Sequence, residues 1–294
     1  FEEGITHYQS LFRITPQAVA VDLHPDYLST KYGLDLSCKS NLPLVQVQHH
    51  HAHLAACLAD NSWNSEEPVI GLIFDGTGFG TDGNIWGGEV LIGGYNGFHR
   101  KFHLQETLLP GGDSAIRNAA KIAFAQVQAA GIDLDSDLPF VNVLSDIERS
   151  TIRSQIDHHI NTPFTTSMGR LFDAVSSILG VCHRSTYEGQ AAIELENCSD
   201  PDETGFYPIQ IYQNEILSFD LISQIIEDFR KNVPISNIAA RFHNSICHIC
   251  LNSCKLIREE SGIKSVALSG GVWQNMTLLG KTVPLLRESG FKVM

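Results

Sequence analysis

An apolar run from Val69 to Phe74 (VIGLIF) constrains the fold of this 294-residue chain more than any other stretch. The run has no polar alternation, which is typical of a strand buried on both faces of its sheet. Alanine and leucine from His49 to about Ala59 predict a helix before it, and Leu44–Gln48 predicts a further strand. Because a doubly buried strand needs helices on both sides, the sequence predicts an α/β fold.

Charge and composition limit the partners. The net charge is −13, and a surface this negative repels a phosphate backbone. We therefore expect no nucleic acid partner, and only a local basic groove would change that expectation. No apolar run approaches the roughly 20 residues that span a bilayer, so we expect no membrane partner. The seven cysteines are odd in number and form no spaced framework. They indicate reduced thiols and a cytoplasmic location.

The order of strands and helices predicts two α/β lobes that face a cleft. We place the first lobe at residues 1–105, a helical segment at 106–165 and the second lobe at 166–294. Each lobe has a hairpin, helices and an apolar strand ending in a glycine turn. The chain starts without methionine and stops inside a strand-like run. We therefore expect a fragment of a longer protein, truncated in its second lobe.

His49 and His53 form a candidate metal pair. Four residues apart on a helix, they share one face with about 5–6 Å between their β-carbons. A histidine-rich helix end without function is the alternative, but a position directly after a buried strand favours a ligand site. Two nitrogen ligands call for at least one carboxylate, and Asp75 is a candidate. Zinc, iron, manganese or magnesium would be consistent with such a set.

Two glycine turns are candidate anion sites. Gly76, Thr77 and Gly78 begin a predicted turn at residues 76–83, where backbone N–H groups and a hydroxyl can bind phosphate oxygens. Gly270 and Gly271 precede a predicted helix from about Trp273, whose N-terminus can hold an anion. Alone, either could be an ordinary turn.

Three polar positions are ambiguous. Asp173 lies one turn into a predicted helix, where it could accept hydrogen bonds from ribose hydroxyls or, more simply, act as a solvated or capping acid. Asn275 could bond a phosphate or an acyl group. Cys247, Cys250 and Cys254 share one helical face, where packing among isoleucines is the simpler interpretation than a metal cluster.

Seven stretches, taken in order, resemble one known family, the C-terminal part of the HypF carbamoyltransferases of nickel–iron hydrogenase maturation. They cover nearly the whole chain: residues 22–30 (DLHPDYLST), 48–53 (QHHHAH), 74–83 (FDGTGFGTDG), 109–113 (LPGGD), 169–174 (GRLFDA), 187–192 (YEGQAA) and 269–275 (SGGVWQN).

The resemblance implies an actin-like, sugar-kinase-like (ASKHA) fold, with two ribonuclease-H-like lobes around a nucleotide cleft. It implies transfer of a carbamoyl group from carbamoyl-adenylate, which is made from carbamoyl phosphate and ATP, to the C-terminal cysteine of the partner HypE. This step belongs to cyanide-ligand synthesis. The family's last metal-binding aspartate lies in a motif beyond the point where this sequence stops.

The resemblance also implies roles for single residues. His49, His53 and Asp75 would bind a divalent metal and act in catalysis. The adenine nucleotide would meet a larger set: Gly76, Thr77 and Gly78 at its phosphates, Asp173 and Gly189 on the ribose side, and Gly270, Gly271 and Asn275 on the phosphate or carbamoyl side.

Three rival functions are kept open. A TsaD-like threonylcarbamoyl or other N- or O-carbamoyl transferase would share the fold. A sugar-kinase-like phosphotransferase would need a base aspartate and no histidine pair. A non-catalytic lobe that docks a partner would bind no adenine nucleotide.

Overall fold

The computed structural model describes residues 1–134 and 137–294, except for the side chain of Asp113, which the sequence makes a candidate helix N-cap. The α-helices are α1 Glu2–Phe12, α2 Leu28–Ser40, α3 His49–Asp60, α4 Ala119–Ala129, α5 Pro139–Val143, α6 Asp146–His158, α7 Met168–Ile178, α8 Gln190–Asn197, α9 Ser218–Arg230, α10 Ile235–Ser261 and α11 Met276–Glu288. The strands are β1 Val19–Asp22, β2 Leu44–Val47, β3 Val69–Phe79, β4 Ile85–Gly94, β5 Gly97–Leu104, β6 Thr107–Leu108, β7 Phe164–Thr165, β8 Ile211–Tyr212, β9 Glu215–Ile216, β10 Ser265–Ser269 and β11 Lys292–Val293. Two 3-10 helices lie at Gly112–Arg117 and Gly271–Gln274.

Two sheets organise the described residues. The smaller pairs β1 with β2 in parallel. The larger has the order β11-β10-β3-β4-β5-β9-β8, with β6 and β7 attached beside β4. Strand β3 is antiparallel to β4 and parallel to β10, so the sheet is mixed. The predicted α/β class is confirmed.

Strand β3 is buried on both faces. Ile70, Leu72 and Phe74 point into the main core, where α7 packs against the strand. Its other face contributes Val69 and Ile73 to a second cluster, which holds Leu54 and Leu58 of α3. This packing explains the unbroken apolar run, since neither face of the strand meets water. It also brings the first turn of α3 to the end of β3.

The larger sheet does not follow the predicted lobe boundaries at residues 105 and 165. Strand β10, which we assigned to the second lobe, pairs with β3 of the first along Val266–Ser269 and Ile70–Ile73. Strand β9 likewise pairs with β5. Because strands pair by register in space and not by order in the chain, a linear division could not reveal this pairing. The two predicted lobes therefore share one sheet.

Two predicted boundaries are wrong at the glycine motifs. The turn expected at residues 76–83 is shorter, because β3 continues to Phe79 after an irregularity between Phe74 and Gly78. Its last residues still pair with β4, so the turn lies at residues 80–84. The helix expected from Trp273 begins at Met276, because a 3-10 turn at Gly271–Gln274 precedes it.

The described helices include no candidate for a membrane span, since none is both long and apolar enough to cross a bilayer.

Candidate functional site

His49, His53 and Asp75 meet at one point. The first two lie one turn apart on α3, with ring centroids 5.0 Å apart. Oδ2 of Asp75 lies 2.9 Å from Nε2 of His53 and 3.4 Å from Nε2 of His49. One nitrogen or oxygen atom from each residue lies within 4.8 Å of the others. The packing of α3 on β3 therefore brings the predicted histidine pair to the predicted carboxylate.

Asp22 orients His49 through the ring nitrogen that does not face Asp75. Its Oδ2 lies 2.8 Å from Nδ1 of His49, and its Oδ1 accepts a 2.8 Å hydrogen bond from the backbone N–H of His24. Because an ionised carboxylate only accepts hydrogen bonds, we assign the ring proton to Nδ1 of His49. With Nδ1 held by Asp22, Nε2 is the nitrogen of His49 that faces Asp75 and that would bind a metal in place of its proton, as in the carboxylate–histidine arrangement of metal sites.

Charge is concentrated at this point. The Asp75 carboxylate, which accepts a hydrogen bond from protonated His49, raises the pKa of His49; burial opposes the rise, and the contact with Asp22 adds to it. Burial acts to raise the pKa of Asp75, but hydrogen bonds from His49 and His53 outweigh it and hold that pKa well below its usual range. Asp75 is therefore an anion between two imidazoles.

The neighbouring histidines turn away from this point. His50 is fully buried, and burial lowers its pKa to about 4, so its ring is neutral. His51 lies 2.8 Å through Nε2 from the carbonyl oxygen of Gly94. The rings of His49 and His50 both lie against Gly78. A β-carbon added to Gly78 would be 2.7 Å from the ring of His49 and 2.4 Å from that of His50. Gly78 thus makes room for the histidines instead of lining an anion pocket.

A cavity of about 480 Å³ adjoins Asp75. Six of the predicted site residues line it, namely Asp75, Gly76, Asp173, Gly189, Gly271 and Asn275. The described lining does not include Thr77, Gly78 or Gly270. Gly270 has φ +103°, and a β-carbon there would meet the carbonyl oxygen of Phe74 at 2.2 Å, so that glycine serves close backbone packing. The volume is within the range of small-ligand sites.

Asn275 caps α11 at the edge of this cavity. Its Oδ1 accepts a 2.8 Å hydrogen bond from the N–H of Leu278, and its Nδ2 donates to Nε2 of His243 at 2.9 Å. His243 is fully buried, and its Nδ1 donates to the carbonyl of Ala239. His243 is thus a buried polar residue whose hydrogen bonds are satisfied. Most of the hydrogen-bonding capacity of Asn275 serves the helix and His243.

Asp173 is neither solvated nor a helix cap. It is 3% exposed and lies on the cavity wall, 2.9 Å through Oδ2 from Nη2 of Arg170. Burial raises the pKa of Asp173 to about 6, although the positive charge of Arg170 opposes that rise. Sequence reasoning missed Arg170. The available signal was its position three residues before Asp173, which places both on one helix face.

Ser167 connects helix α7 to strand β3. Ser167 caps α7, and its Oγ lies 2.9 and 2.7 Å from the carbonyl oxygens of Asp75 and Gly76. It ties the helix to the end of β3.

Cys247, Cys250 and Cys254 are buried free thiols in α10, as expected for core residues. Among the described residues, only His49, His53 and Asp75 form a group that could hold a metal ion.

The donor set suits a metal ion. Two imidazole nitrogens and a carboxylate oxygen converge, all three residues are half-buried, and one imidazole is oriented by Asp22. Such sets are typical of zinc and iron sites with positions left for substrate or water. The residues therefore fit the metal that the resemblance implies.

Comparisons with known proteins give the family. Residues 71–294 match the family model "Carbamoyltransferase, Kae1-like Domain, second subdomain", and residues 1–60 match "HypF Kae1-like domain". The chain belongs to the HypF carbamoyltransferase family. The resemblance seen in the sequence is confirmed.

Individual HypF proteins agree with the family assignment. The carbamoyltransferase HypF of Synechocystis sp. is 37% identical over 99% of this chain and 39% of its own length. That of Rhodobacter capsulatus is 36% identical over 99% of this chain and 38% of its own length. A crystal structure of full-length HypF in a phosphate- and nucleotide-bound form superposes with a TM-score of 0.91 at 41% identity, covering 99% of this chain and 45% of that one. The chain thus spans about two fifths of the length of the curated relatives.

Proposed function

We propose that this chain transfers a carbamoyl group from carbamoyl-adenylate to the C-terminal cysteine thiolate of HypE, a step in the synthesis of the cyanide ligand of nickel–iron hydrogenase. The observation that carries the proposal is the contact of His49 and His53 with Asp75 beside a cavity of about 480 Å³. The family and the nucleotide-bound HypF relative support an adenine nucleotide as the occupant of that cavity.

The chain's own residues can do three things in this reaction. His49, His53 and Asp75 would hold the divalent metal, which when bound supplies Lewis-acid polarisation of the carbamoyl carbonyl or of phosphate oxygens. The backbone N–H groups of Gly76 and Gly271 donate to Oδ1 of Asp75, at 2.7 and 3.4 Å, and so hold that carboxylate in place at the cavity. The acceptor thiolate comes from the partner, so no nucleophile of this chain is required.

The same proposal assigns the ASKHA fold with two ribonuclease-H-like lobes. The family models support a lobe division between residues 60 and 71, with β1 and β2 belonging to one lobe and the larger sheet to the other. This division replaces the one at residues 105 and 165. The metal centre then joins the lobes, because His49 and His53 precede residue 60 and Asp75 follows residue 71. Cytoplasmic location fits the free cysteines among the described residues.

The test is a transfer assay with an internal control. The protein is loaded with zinc or iron and mixed with carbamoyl-adenylate and a peptide of the HypE C-terminus, and carbamoylated peptide is measured by mass spectrometry. We expect His49→Ala to lower the transfer rate by about a hundredfold or more, since Lewis-acid stabilisation contributes several kcal/mol. His51→Ala, on the same helix but outside the centre, should transfer normally.

Other outcomes would decide against this function. Equal transfer by the protein and by His49→Ala would refute a metal role. A sugar-kinase-like phosphotransferase would instead consume ATP when a hydroxyl compound is added, without a transition metal. A TsaD-like enzyme would modify an amine and not the peptide thiol.

A further inference from the structure

Arg170 is a buried cation on the wall of the cavity. It lies in the first turn of α7, is 5% exposed, and lines the cavity beside Gly76. A β-carbon added to Gly76 would lie 3.6 Å from Nη2 of Arg170. The guanidinium is therefore next to the backbone that follows Asp75.

The hydrogen-bonding capacity of Arg170 is largely unused. Its Nε and Nη1 atoms are buried without a hydrogen-bond partner among the described residues. Among the described residues its guanidinium pairs with Asp173, where Nη2 and Oδ2 lie 2.9 Å apart. That Oδ2 also lacks a well-formed hydrogen bond, so the two groups meet as an ion pair without hydrogen-bond alignment. Buried donors in native proteins almost always have partners, which makes this arrangement an argument for a ligand.

The charges around the cavity point to the same residue. Its lining contains four carboxylates, those of Asp75, Asp173, Glu188 and Glu196. Of the lining residues that the structure describes, Arg170 alone is positively charged. An anionic ligand in this cavity would be repelled by these carboxylates, so its negative group gains most by lying next to Arg170.

We propose that Arg170 binds the phosphate group of an adenylate in this cavity, and that Asp173 holds the guanidinium in position for it. The planar fork of arginine suits two oxygens of one phosphate, and such charge-assisted pairs are stronger than neutral hydrogen bonds. Gly76 contributes to this site by its lack of a side chain, which leaves the space in front of Nη2 open. This inference rests on the nucleotide-binding part of the proposed function and adds a residue that reads the phosphate.

The experiment compares AMP with adenosine, which differ only in the phosphate. Affinities are measured by isothermal titration calorimetry for the protein and for three variants, Arg170→Lys, Arg170→Met and Arg287→Met. The last removes an exposed arginine of α11 and is the matched control. Competition by inorganic phosphate separates recognition of the nucleotide from binding of a free anion.

We expect the unchanged protein and Arg287→Met to prefer AMP over adenosine. Arg170→Met should raise the Kd of AMP about tenfold to a hundredfold, the equivalent of a lost charged hydrogen bond, and leave that of adenosine within about twofold. Arg170→Lys, which keeps the charge without the fork and is the milder change to the fold, should lie between the two. Inorganic phosphate should compete with AMP and not with adenosine.

The outcomes distinguish this inference from the proposed function. If Arg170→Lys weakens AMP and adenosine equally, Arg170 shapes the pocket and does not read the phosphate. Equal affinity of the unchanged protein for AMP and adenosine overturns the phosphate site alone. Failure of the unchanged protein to bind either compound overturns the nucleotide part of the proposed function as well.

Discussion

Nδ1 of His49 lies 2.8 Å from Oδ2 of Asp22, a residue 27 positions earlier in the chain. The two belong to different elements, since Asp22 ends β1 and His49 begins α3. Strand β2 pairs with β1 up to the match of Asp22 with Val47, so the helix starts directly beside the carboxylate. The parallel pairing of two short strands thereby orients a candidate metal ligand.

Asp22→Asn should weaken metal binding without removing a ligand. The amide loses the negative charge that favours the Nδ1–H tautomer of His49, and loss of such an outer partner typically lowers metal affinity 10- to 100-fold. Zinc affinity measured against a chromophoric chelator tests this. Asp26→Asn is the control, because Asp26 pairs with Lys31 on the surface. Unchanged zinc affinity in Asp22→Asn would contradict an orienting role.

Gly78→Ala should displace the histidines. The added methyl would lie 2.4 Å from Cε1 of His50 and 2.7 Å from Cδ2 of His49, closer than real carbon atoms approach. We expect overpacking of about 1–3 kcal/mol in unfolding free energy together with weaker zinc binding. Gly94→Ala, on β4 with open space around it, is the matched control. Denaturant melts and zinc titrations of both variants supply the measurement. Equal zinc affinity in Gly78→Ala and Gly94→Ala would contradict the displacement of the histidines.

The sequence predicts this site only in part, for physical reasons. The apolar run of β3 and the i, i+4 spacing of His49 and His53 are local patterns, and each predicts its element. The pairing of β10 with β3, by contrast, depends on contacts between residues almost 200 positions apart. Local periodicity does not reveal such register, and for that reason the predicted boundaries at residues 105 and 165 cut across one sheet.

The predicted phosphate turn shows a second limit. Glycine at position 78 permits either a turn that approaches an anion or a strand on which bulky rings rest. Composition does not separate these uses, and the structure has the second. Arg170 was overlooked for a different reason, because an arginine in a helix is usually solvated, and its spacing from Asp173 does not reveal that it is buried.

The cysteines of α10 should react slowly in the folded protein. Cys247, Cys250 and Cys254 are buried, and burial raises the pKa of each thiol, so little thiolate forms at neutral pH. Cys38 on α2 is exposed. With a disulfide reagent that absorbs on reaction, we expect a fast phase from Cys38, which Cys38→Ser removes, and slow reaction of the three buried thiols until denaturant is added. Fast reaction of all seven thiols in the native protein would contradict the packing of α10.

Glu89 should make the free energy of unfolding depend on pH in the acid range. It is fully buried, and its carboxylate lies 2.6 Å from Nε of Arg100 and 2.5 Å from Oγ1 of Thr166. Burial acts to raise its pKa, but the charge and hydrogen bond of Arg100 outweigh burial and hold that pKa below the ordinary value of 4.5. Thr166 directly precedes Ser167, the N-cap of α7, so this network is next in the chain to the start of that helix.

The sign of the pH effect follows from the lowered pKa. Below about pH 4.5 the unfolded chain takes up a proton at Glu89 before the folded protein does, so the stabilisation is complete above that pH and is lost as pH falls through the folded pKa. Glu89→Gln should therefore lower the unfolding free energy by about 3–5 kcal/mol at pH 7, because it leaves Arg100 without its buried partner. In urea melts the difference should shrink below pH 4.5. Glu260→Gln, which breaks only the exposed pair with Lys101, should change stability by about 1 kcal/mol or less at pH 7. A gap between the protein and Glu89→Gln that stays constant from pH 7 to pH 3 would mean that the carboxylate is not the stabilising form.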